Sequence, residues 1–411
     1  MRFHALGLPH TITAPEYSAC AFTQKVLKFC KMMTQRGHTV YHYGHERSNV
    51  VCTEHVTVTD DDVLKEAYGN HDWRSNSFKH STDDHANKTF IERAIPAVGL
   101  RKQPGDFLLL FWSSGHAPIA ARHKDLIAVE PGIGCYNALV SQFAVFESYA
   151  VMHGVYAKHS VGPRFMDCVV PNYFDAADFH DASTELARAG ALDGLGAQAA
   201  LEGSSGTLKT IAKLPFGRYV VAIGRLIDVK GFQIAFDACQ RTGLKLVIAG
   251  QGNPKGILGA DFESAPPEDP TGATFVGYVE PHERAFLLAG AKALMCPTLY
   301  AEPFGGVNVE AQMSGVPVVC TDWGAFAETV LHGVTGYRCR TMEHFTWALR
   351  NVDSLDRSKI LKWGRTNYGF TKIGAMYEEY FSMLSTVANG KGFYEEHPGR
   401  LGLGWLEKTY V

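Results

Sequence analysis

Six short apolar runs, YVVAI (219–223), KLVIA (245–249), ATFV (273–276), ALMC (293–296), VPVVC (316–320) and GYRC (336–339), recur through the second half of the chain. The segments between them carry helical spacing at 230–240, 281–290, 306–314, 325–331 and 342–350. Strands this brief and this continuously apolar have no solvated face, so they predict a parallel sheet covered by helices on both sides.

The first half repeats the pattern less cleanly. A strand at 2–8 precedes a helix at 18–36, with Phe22, Val26, Cys30 and Met33 on one face; Gly37 stops it and T-V-Y-H-Y-G returns as strand. Further strands are predicted at 107–112, 126–130 and 168–171, with 137–158 largely helical. In between, D-D-D at 60–62 and the polar stretch 69–89 read as loop, followed by a helix near 86–99. Residues 173–215 are rich in small residues and glycine and read as an inter-domain connection or insertion, with a short helix around 183–189. The segment 357–388 is helical, with Tyr377, Tyr380, Phe381 and Leu384 at core spacing. A length of 411 residues exceeds what one core usually fills. The expectation is therefore an α/β protein of two doubly wound domains facing across a cleft: 1–172, a linker or insertion at 173–215, 216–365, and a returning helix with tail at 366–411.

A formal net charge of -3 supplies no general pull toward nucleic acid or an acidic membrane. The N-terminus is too short and polar for a secretory h-region, and no apolar run reaches membrane-span length. Nine scattered cysteines without a C-x-x-C pair fit reduced core residues, which predicts a cytoplasmic protein.

In open α/β sheets ligands bind at the carboxyl ends of the strands, which is where the polar residues of this chain gather. G-R-L-I-D-V-K-G (224–231) follows YVVAI, and Arg225 with Lys230 would neutralise a diphosphate there, or else be a solvated pair around a turn. E-P-F-G-G-V-N-V-E (302–310) follows ALMCPT; Gly305 and Gly306 admit close backbone approach, and the helix they open directs unpaired N–H groups toward a ligand. Glu302 lies before that helix and Glu310 about one turn inside it. Two separate tasks follow, such as clamping two sets of hydroxyls, although acidic residues also suit an ordinary helix start. Gly250 and Gly252 turn beneath a nucleotide or simply punctuate a strand, and Tyr278 lines a base pocket with comparable latitude. In the first half, His116 follows a strong strand and either donates to a sugar or phosphate or caps its loop. Glu130 and Glu147 are the carboxylates there. His38, His42 and His45 do not all share one strand face, so no metal site is predicted.

Taken in order, G-R-x-x-x-x-K-G (224–231), V-I-A-G-x-G (247–252), F-V-G-Y-V (275–279) and E-P-F-G-G-V-N-V-E-A followed by S-G-V-P-V-V (314–319) resemble the signature of glycosyltransferase family 4. The resemblance covers about 216–345. It implies two Rossmann-like domains of GT-B type, a UDP- or GDP-linked sugar as donor substrate, no required cofactor or metal, and transfer with retention. It further implies that Arg225 and Lys230 hold the diphosphate, Glu310 the ribose and Glu302 the donor sugar. The 304–307 backbone (Phe304, Gly305, Gly306, Val307) would face sugar and phosphate, and His116 matches the family's active-site histidine. The first domain would bind the acceptor, a glycan, lipid-linked or small-molecule hydroxyl, with peripheral membrane contact if it is lipid-linked. F-E-S-Y (146–149) and V-P-N-Y-F-D (170–175) resemble hinge segments, and the helix near 365–388 resembles one that braces the first domain. Two departures stand out: Gly7 alone represents the usual glycine pair after the first strand, and W-S-S-G-H precedes His116.

In the implied reaction the acceptor attacks the face the diphosphate leaves, without a protein nucleophile; a double displacement would instead call on Glu130 or Glu147. The competing readings are an epimerase-type enzyme acting on the donor alone and a catalytically silent nucleotide-sugar-binding protein. A dehydrogenase is disfavoured because the first strand-to-helix turn lacks G-x-G-x-x-G.

Overall fold

The computed structural model describes residues 1–135, 139–183, 205–390, 392–394 and 396. They form two compact units, one comprising 1–71, 78–173 and 370 onward, the other 72–77 and 174–369.

The first unit is built on a seven-stranded parallel sheet: β1 (Arg2–Leu6), β2 (Thr39–His45), β3 (Glu54–Thr59), β4 (Phe107–Leu109), β5 (Ile127–Ile133), β6 (Phe143–Phe146) and β7 (Cys168–Val169). Their order is β3-β2-β1-β4-β5-β6-β7, so the direction of winding reverses between β1 and β4. Helix Ala21–Gln35 buries Val26, Phe29, Cys30 and Met33 against this sheet. Helix Phe370–Asn389 closes the same core: the Phe381 ring lies 4.8 Å from both Phe3 and Phe107, and Tyr377 packs edge-on against Phe29.

Three local expectations change. D-D-D at 60–62 is a helix start, with Asp60 accepting from Val63 N at 3.0 Å and Asp61 and Asp62 in the first turn of Asp61–Tyr68, where the helix dipole favours them. The E-H-V-T-V-T segment before it is strand β3. Within the expected helix 137–158, F-A-V-F is strand β6 and the helix spans Tyr149–His159, because a buried four-residue apolar run has no periodicity to distinguish the two states. The segment 357–388 is two helices, Arg357–Tyr368 and Phe370–Asn389, divided at Gly369, where the backbone is extended. The helix expected around 183–189 falls almost wholly outside the described residues.

The second unit carries six parallel strands: β8 (Tyr219–Ile223), β9 (Lys245–Ala249), β10 (Ala273–Gly277), β11 (Ala293–Cys296), β12 (Val318–Thr321) and β13 (Gly336–Cys339). Their order, β10-β9-β8-β11-β12-β13, reverses between β8 and β11. The strands are buried nearly throughout, as continuously apolar sequences require, beneath helices that include Phe232–Thr242, Pro281–Ala289, Gly306–Met313 and Met342–Asn351.

Candidate active site

Past the ends of β8, β9 and β10 the chain continues as a laced set of loops. Gly224 N donates to Ala249 O at 3.0 Å, Leu226 N to Gln251 O at 2.8 Å and Gly250 N to Gly277 O at 2.8 Å. This approach needs glycine at 250, whose φ is +144° and whose added Cβ would collide with the Gly224 carbonyl. Across the switch point, Leu299 N donates to Val229 O at 2.8 Å and ties the turn Asp228–Lys230 to the loop leading into 302–305.

That tie brings Lys230 and Glu302 together. Lys230 Nζ donates to Glu302 Oε2 and to Tyr300 Oη, both at 2.8 Å, and lies 4.9 Å from the Tyr300 ring centroid. Burial alone would lower the Lys230 pKa, but the Glu302 charge, with Tyr300 and the hydrogen bonds, carries it above the ordinary value. Burial, with the Glu302 charge second, pushes the Tyr300 hydroxyl up to about 12, so it stays protonated. Arg225 is exposed one residue past Gly224, and its guanidinium has no hydrogen-bond or ion-pair partner among the described residues.

The loop 302–305 is anchored from below. The Phe304 side chain is buried with Phe174 (6.4 Å, stacked) and Tyr368 (6.0 Å, edge-on), so only its backbone remains for a ligand. Gly305 then starts helix Gly306–Met313 in the left-handed region, φ +78°, with an added Cβ only 2.5 Å from the Phe326 ring. The N–H groups of Gly306 and Val307 thus open the helix without intrahelical partners. Glu302 O accepts from Ala325 N at 2.9 Å, which fixes the carboxylate's stem.

Glu310, inside this helix, faces the neighbouring helix Pro281–Ala289. Arg284 Nε lies 2.9 Å from Glu310 Oε2 and its Nη2 3.1 Å from Oε1, a two-pronged pair in which the guanidinium fork fixes the carboxylate plane. The two glutamates therefore do not form one acid pair: each has its own cation, and Arg225 supplies a third. Residues 225, 230, 302, 310 and the 305–307 backbone all belong to the second unit, around the β8/β11 reversal, and Gly250, Gly252 and Tyr278 lie on the β9 and β10 side.

Sequence reasoning missed Arg284, Tyr300 and Asn308. Asn308 is fully buried and neither end of its amide has a hydrogen-bond partner. Its polar side chain inside the apolar V-N-V was the one visible signal; the Arg284 pairing depends on two helices meeting and leaves no trace in spacing.

The first unit gives His116 a different place from the one expected. It is fully buried, stacked on Phe90 at 5.5 Å, with Nδ1 accepting from Trp112 N at 3.1 Å and Nε2 donating to Gly7 O at 3.0 Å. Burial holds its pKa down to about 3, and with both ring nitrogens engaged it joins the β1 and β4 loops instead of presenting a donor. Gly7 shares that joint, since a Cβ there would meet Tyr43 O at 2.8 Å. In its stead the same loops bring His10 to 4.5 Å from the Trp112 ring and 5.0 Å from His80, with His80 5.1 Å from Trp112.

Glu130 and Glu147 are inside the first unit. Glu130 accepts from Val140 N and Ser141 N at 2.9 Å, and burial raises its pKa. Glu147 pairs with Lys25 and accepts from Asn172 Nδ2 at 2.8 Å. The three histidines also separate: His38 meets Glu378 at 2.8 Å and His42 meets His55 at 2.9 Å. His45, which ends β2 instead of lying beyond it, is 3.4 Å from Asp61. With Glu46 and Asp61, His45 forms the one group among the described residues with the spacing of metal ligands; Arg47 already lies 2.6 Å from Asp61.

Residues 211–356 match the family model described as glycosyl transferases group 1. The match takes in the whole candidate site, from Arg225 to Glu310. The Mycobacterium tuberculosis glycogen synthase is 36% identical over 138 residues, 32% of each chain, and the Mycobacterium bovis D-inositol 3-phosphate glycosyltransferase is 28% identical over 178 residues, 42% of this chain and 36% of that one. The chain thus aligns with about a third of the length of the curated relatives it matches. Whole-fold likeness is broader. Sucrose-phosphate synthase from Thermosynechococcus elongatus superposes with a TM-score of 0.62 at 15% identity, covering 93% of this chain and 99% of that one. Anabaena HepE, solved with UDP-glucose, gives 0.60 at 12%, covering 93% and 100%. The matched region accordingly lies in one half of a two-Rossmann-domain, GT-B fold. No described helix is long and apolar enough to cross a membrane.

Proposed function

We propose that this chain is a retaining glycosyltransferase that moves a sugar from a UDP- or GDP-sugar to an acceptor hydroxyl. The observation that carries the reading is the arrangement of three cations and two separately held carboxylates around the β8/β11 reversal of the matched region. In this reading Arg225, Lys230 and the N–H groups of Gly306 and Val307 take the diphosphate, whose charge grows as it leaves. Glu302 binds the donor sugar and Glu310 the ribose. The relatives' names support glycosyl transfer, and the HepE complex supports a uridine diphosphate donor.

The acceptor hydroxyl attacks on the face the diphosphate vacates, and its proton passes to the departing phosphate oxygen. Glu130 and Glu147 are both buried and hydrogen-bonded, which supports transfer without a protein nucleophile. His10, His80 and Trp112, grouped at the carboxyl ends of β1 and β4, are the proposed acceptor surface, for a glycan, a lipid-linked sugar or a small molecule. A lipid-linked acceptor would bring a cytoplasmic enzyme to the membrane surface.

The test is a panel of UDP-, GDP- and ADP-sugars, screened by thermal shift and then assayed for donor hydrolysis and for transfer to added acceptors. Sugar release or transfer supports the reading. Conversion of the donor sugar without release would mark an epimerase-type enzyme, and binding without any turnover a silent nucleotide-sugar-binding protein.

A further inference from the structure

Residues 72–77 are flanked in sequence by the first unit, yet they pack with the second. The segment is a self-held turn: Asp72 Oδ1 accepts from Arg74 N at 3.0 Å, and Asp72 O accepts from Asn76 N at 3.1 Å and from Asn76 Nδ2 at 3.2 Å. It sits on the two loops that follow β9 and β10. Gln251, between Gly250 and Gly252 and only 7% exposed, donates from Nε2 to Trp73 O and, at 3.2 Å, to Asn76 O. The half-buried Trp73 ring meets Tyr278 edge-on at 5.7 Å. Arg74 lies over the Trp73 ring at 4.5 Å and reaches Glu280 at 3.2 Å, securing the turn from its far side.

The direction of the donor follows from the site already described, on which this inference rests. Diphosphate groups belong at the β8/β11 reversal, by Arg225 and Lys230. Glu310 is held by Arg284 from the helix that follows β10, which takes the ribose toward that side of the sheet. The base must then lie over the β9 and β10 loops, where Trp73 and Tyr278 offer aromatic surface. A planar, uncharged base stacks on aromatic faces largely without regard to its identity.

We propose that the turn Asp72–Ser77 is the nucleoside-recognition element of the donor site, with Trp73 as the wall against which the base lies and Gln251 as the residue that positions it. The ligand class is a nucleoside diphosphate, with or without its sugar. Gln251 acts through the turn: both N–H bonds of its amide are spent on the Trp73 and Asn76 carbonyls, so its replacement frees the turn without removing a base contact.

The test titrates the full chain with UDP, GDP, ADP and inorganic pyrophosphate, reading intrinsic fluorescence and calorimetry, on wild type, Trp73→Phe, Trp73→Ala and Gln251→Ala. Nucleoside diphosphates are expected to quench wild-type fluorescence, and Trp73→Phe to lose most of the quench while keeping affinity within about threefold. Trp73→Ala and Gln251→Ala are expected to weaken nucleoside diphosphates roughly tenfold, leaving pyrophosphate affinity and the melting temperature near wild type. Gln251→Ala should also diminish the Trp73-dependent quench at saturating nucleotide, which a purely structural role would not do. Unchanged nucleotide affinity in Trp73→Ala, or an equal loss for nucleotide and pyrophosphate, overturns the inference and leaves the proposed function standing. Wild-type protein that binds no nucleotide overturns both.

Discussion

Lys230 Nζ and Glu302 Oε2 lie 2.8 Å apart, so the cation assigned to the diphosphate and the carboxylate assigned to the sugar hold each other in place. Neither long side chain has to find its position when the donor arrives, and Tyr300 fixes the lysine from a second direction. Preorganised charge of this kind stabilises charge that develops later at little further cost.

Lys230→Met and Glu302→Gln are both expected to lower turnover by about 10²–10³-fold, since each removes a charge and also frees its partner. The pair has a stability signature as well. A lysine whose folded pKa is raised contributes stability that is complete below its unfolded value and fades as pH rises through the folded one. Wild type should therefore lose stability in the alkaline range around and above 10.5 in a step that Glu302→Gln lacks; identical alkaline melting curves would count against the pair.

Arg284→Lys keeps the charge beside Glu310 but loses the two-pronged geometry, so donor KM is expected to rise about tenfold with a smaller change in kcat. Glu310→Ala should act mainly on donor KM too, whereas Glu302→Ala acts mainly on turnover. Initial-rate kinetics at saturating acceptor distinguish these outcomes, and equal kcat losses for the two glutamate variants with unchanged donor affinity would sink the division of roles.

Acid should unfold the first unit early. His10, His42 and His116 are buried and held down to about 3 from an ordinary 6.5. For a depressed pKa the stability is present above 6.5 and is lost as pH falls toward 3, each histidine contributing a slope of up to about 1.4 kcal/mol per pH unit. Melting temperatures between pH 7 and 4.5 should fall steeply in wild type. His116→Gln, which can still accept and donate once each but does not titrate, should fall less steeply and keep measurable transfer activity at pH 7.

The first-unit carboxylates are expected to be dispensable for chemistry. Glu130→Gln should retain activity within about threefold, because an amide oxygen can still accept from Val140 and Ser141. Glu147→Gln leaves Lys25 buried without its charge partner, at a cost of about 3–5 kcal/mol read by chemical denaturation. Azide restoring activity to either variant, with a glycosyl azide as product, would revive the double displacement.

What could be read in advance follows how local the determining forces are. The six strands of the second sheet lie within two residues of their expected ends because strands covered on both faces must be apolar throughout, and the glycines and helix starts between them are local as well. β3 and β6 were illegible for the opposite reasons. E-H-V-T-V-T is too polar to stand out beside D-D-D, and F-A-V-F is too short to show a period.

Residue chemistry alone determined that Arg225, Lys230, Glu302 and Glu310 belong at strand ends of one parallel sheet, since motif, glycine and strand are adjacent in the chain. Which group neutralises which was decided only by folding: Lys230 reaches Glu302 across the β8/β11 reversal, Glu310 is clamped by a helix 26 positions upstream, and Trp73 packs onto Tyr278 from a distant segment. The same holds for His116. Its position after a strand was legible, but its burial depends on Phe90, Gly7 and Trp112 converging around it.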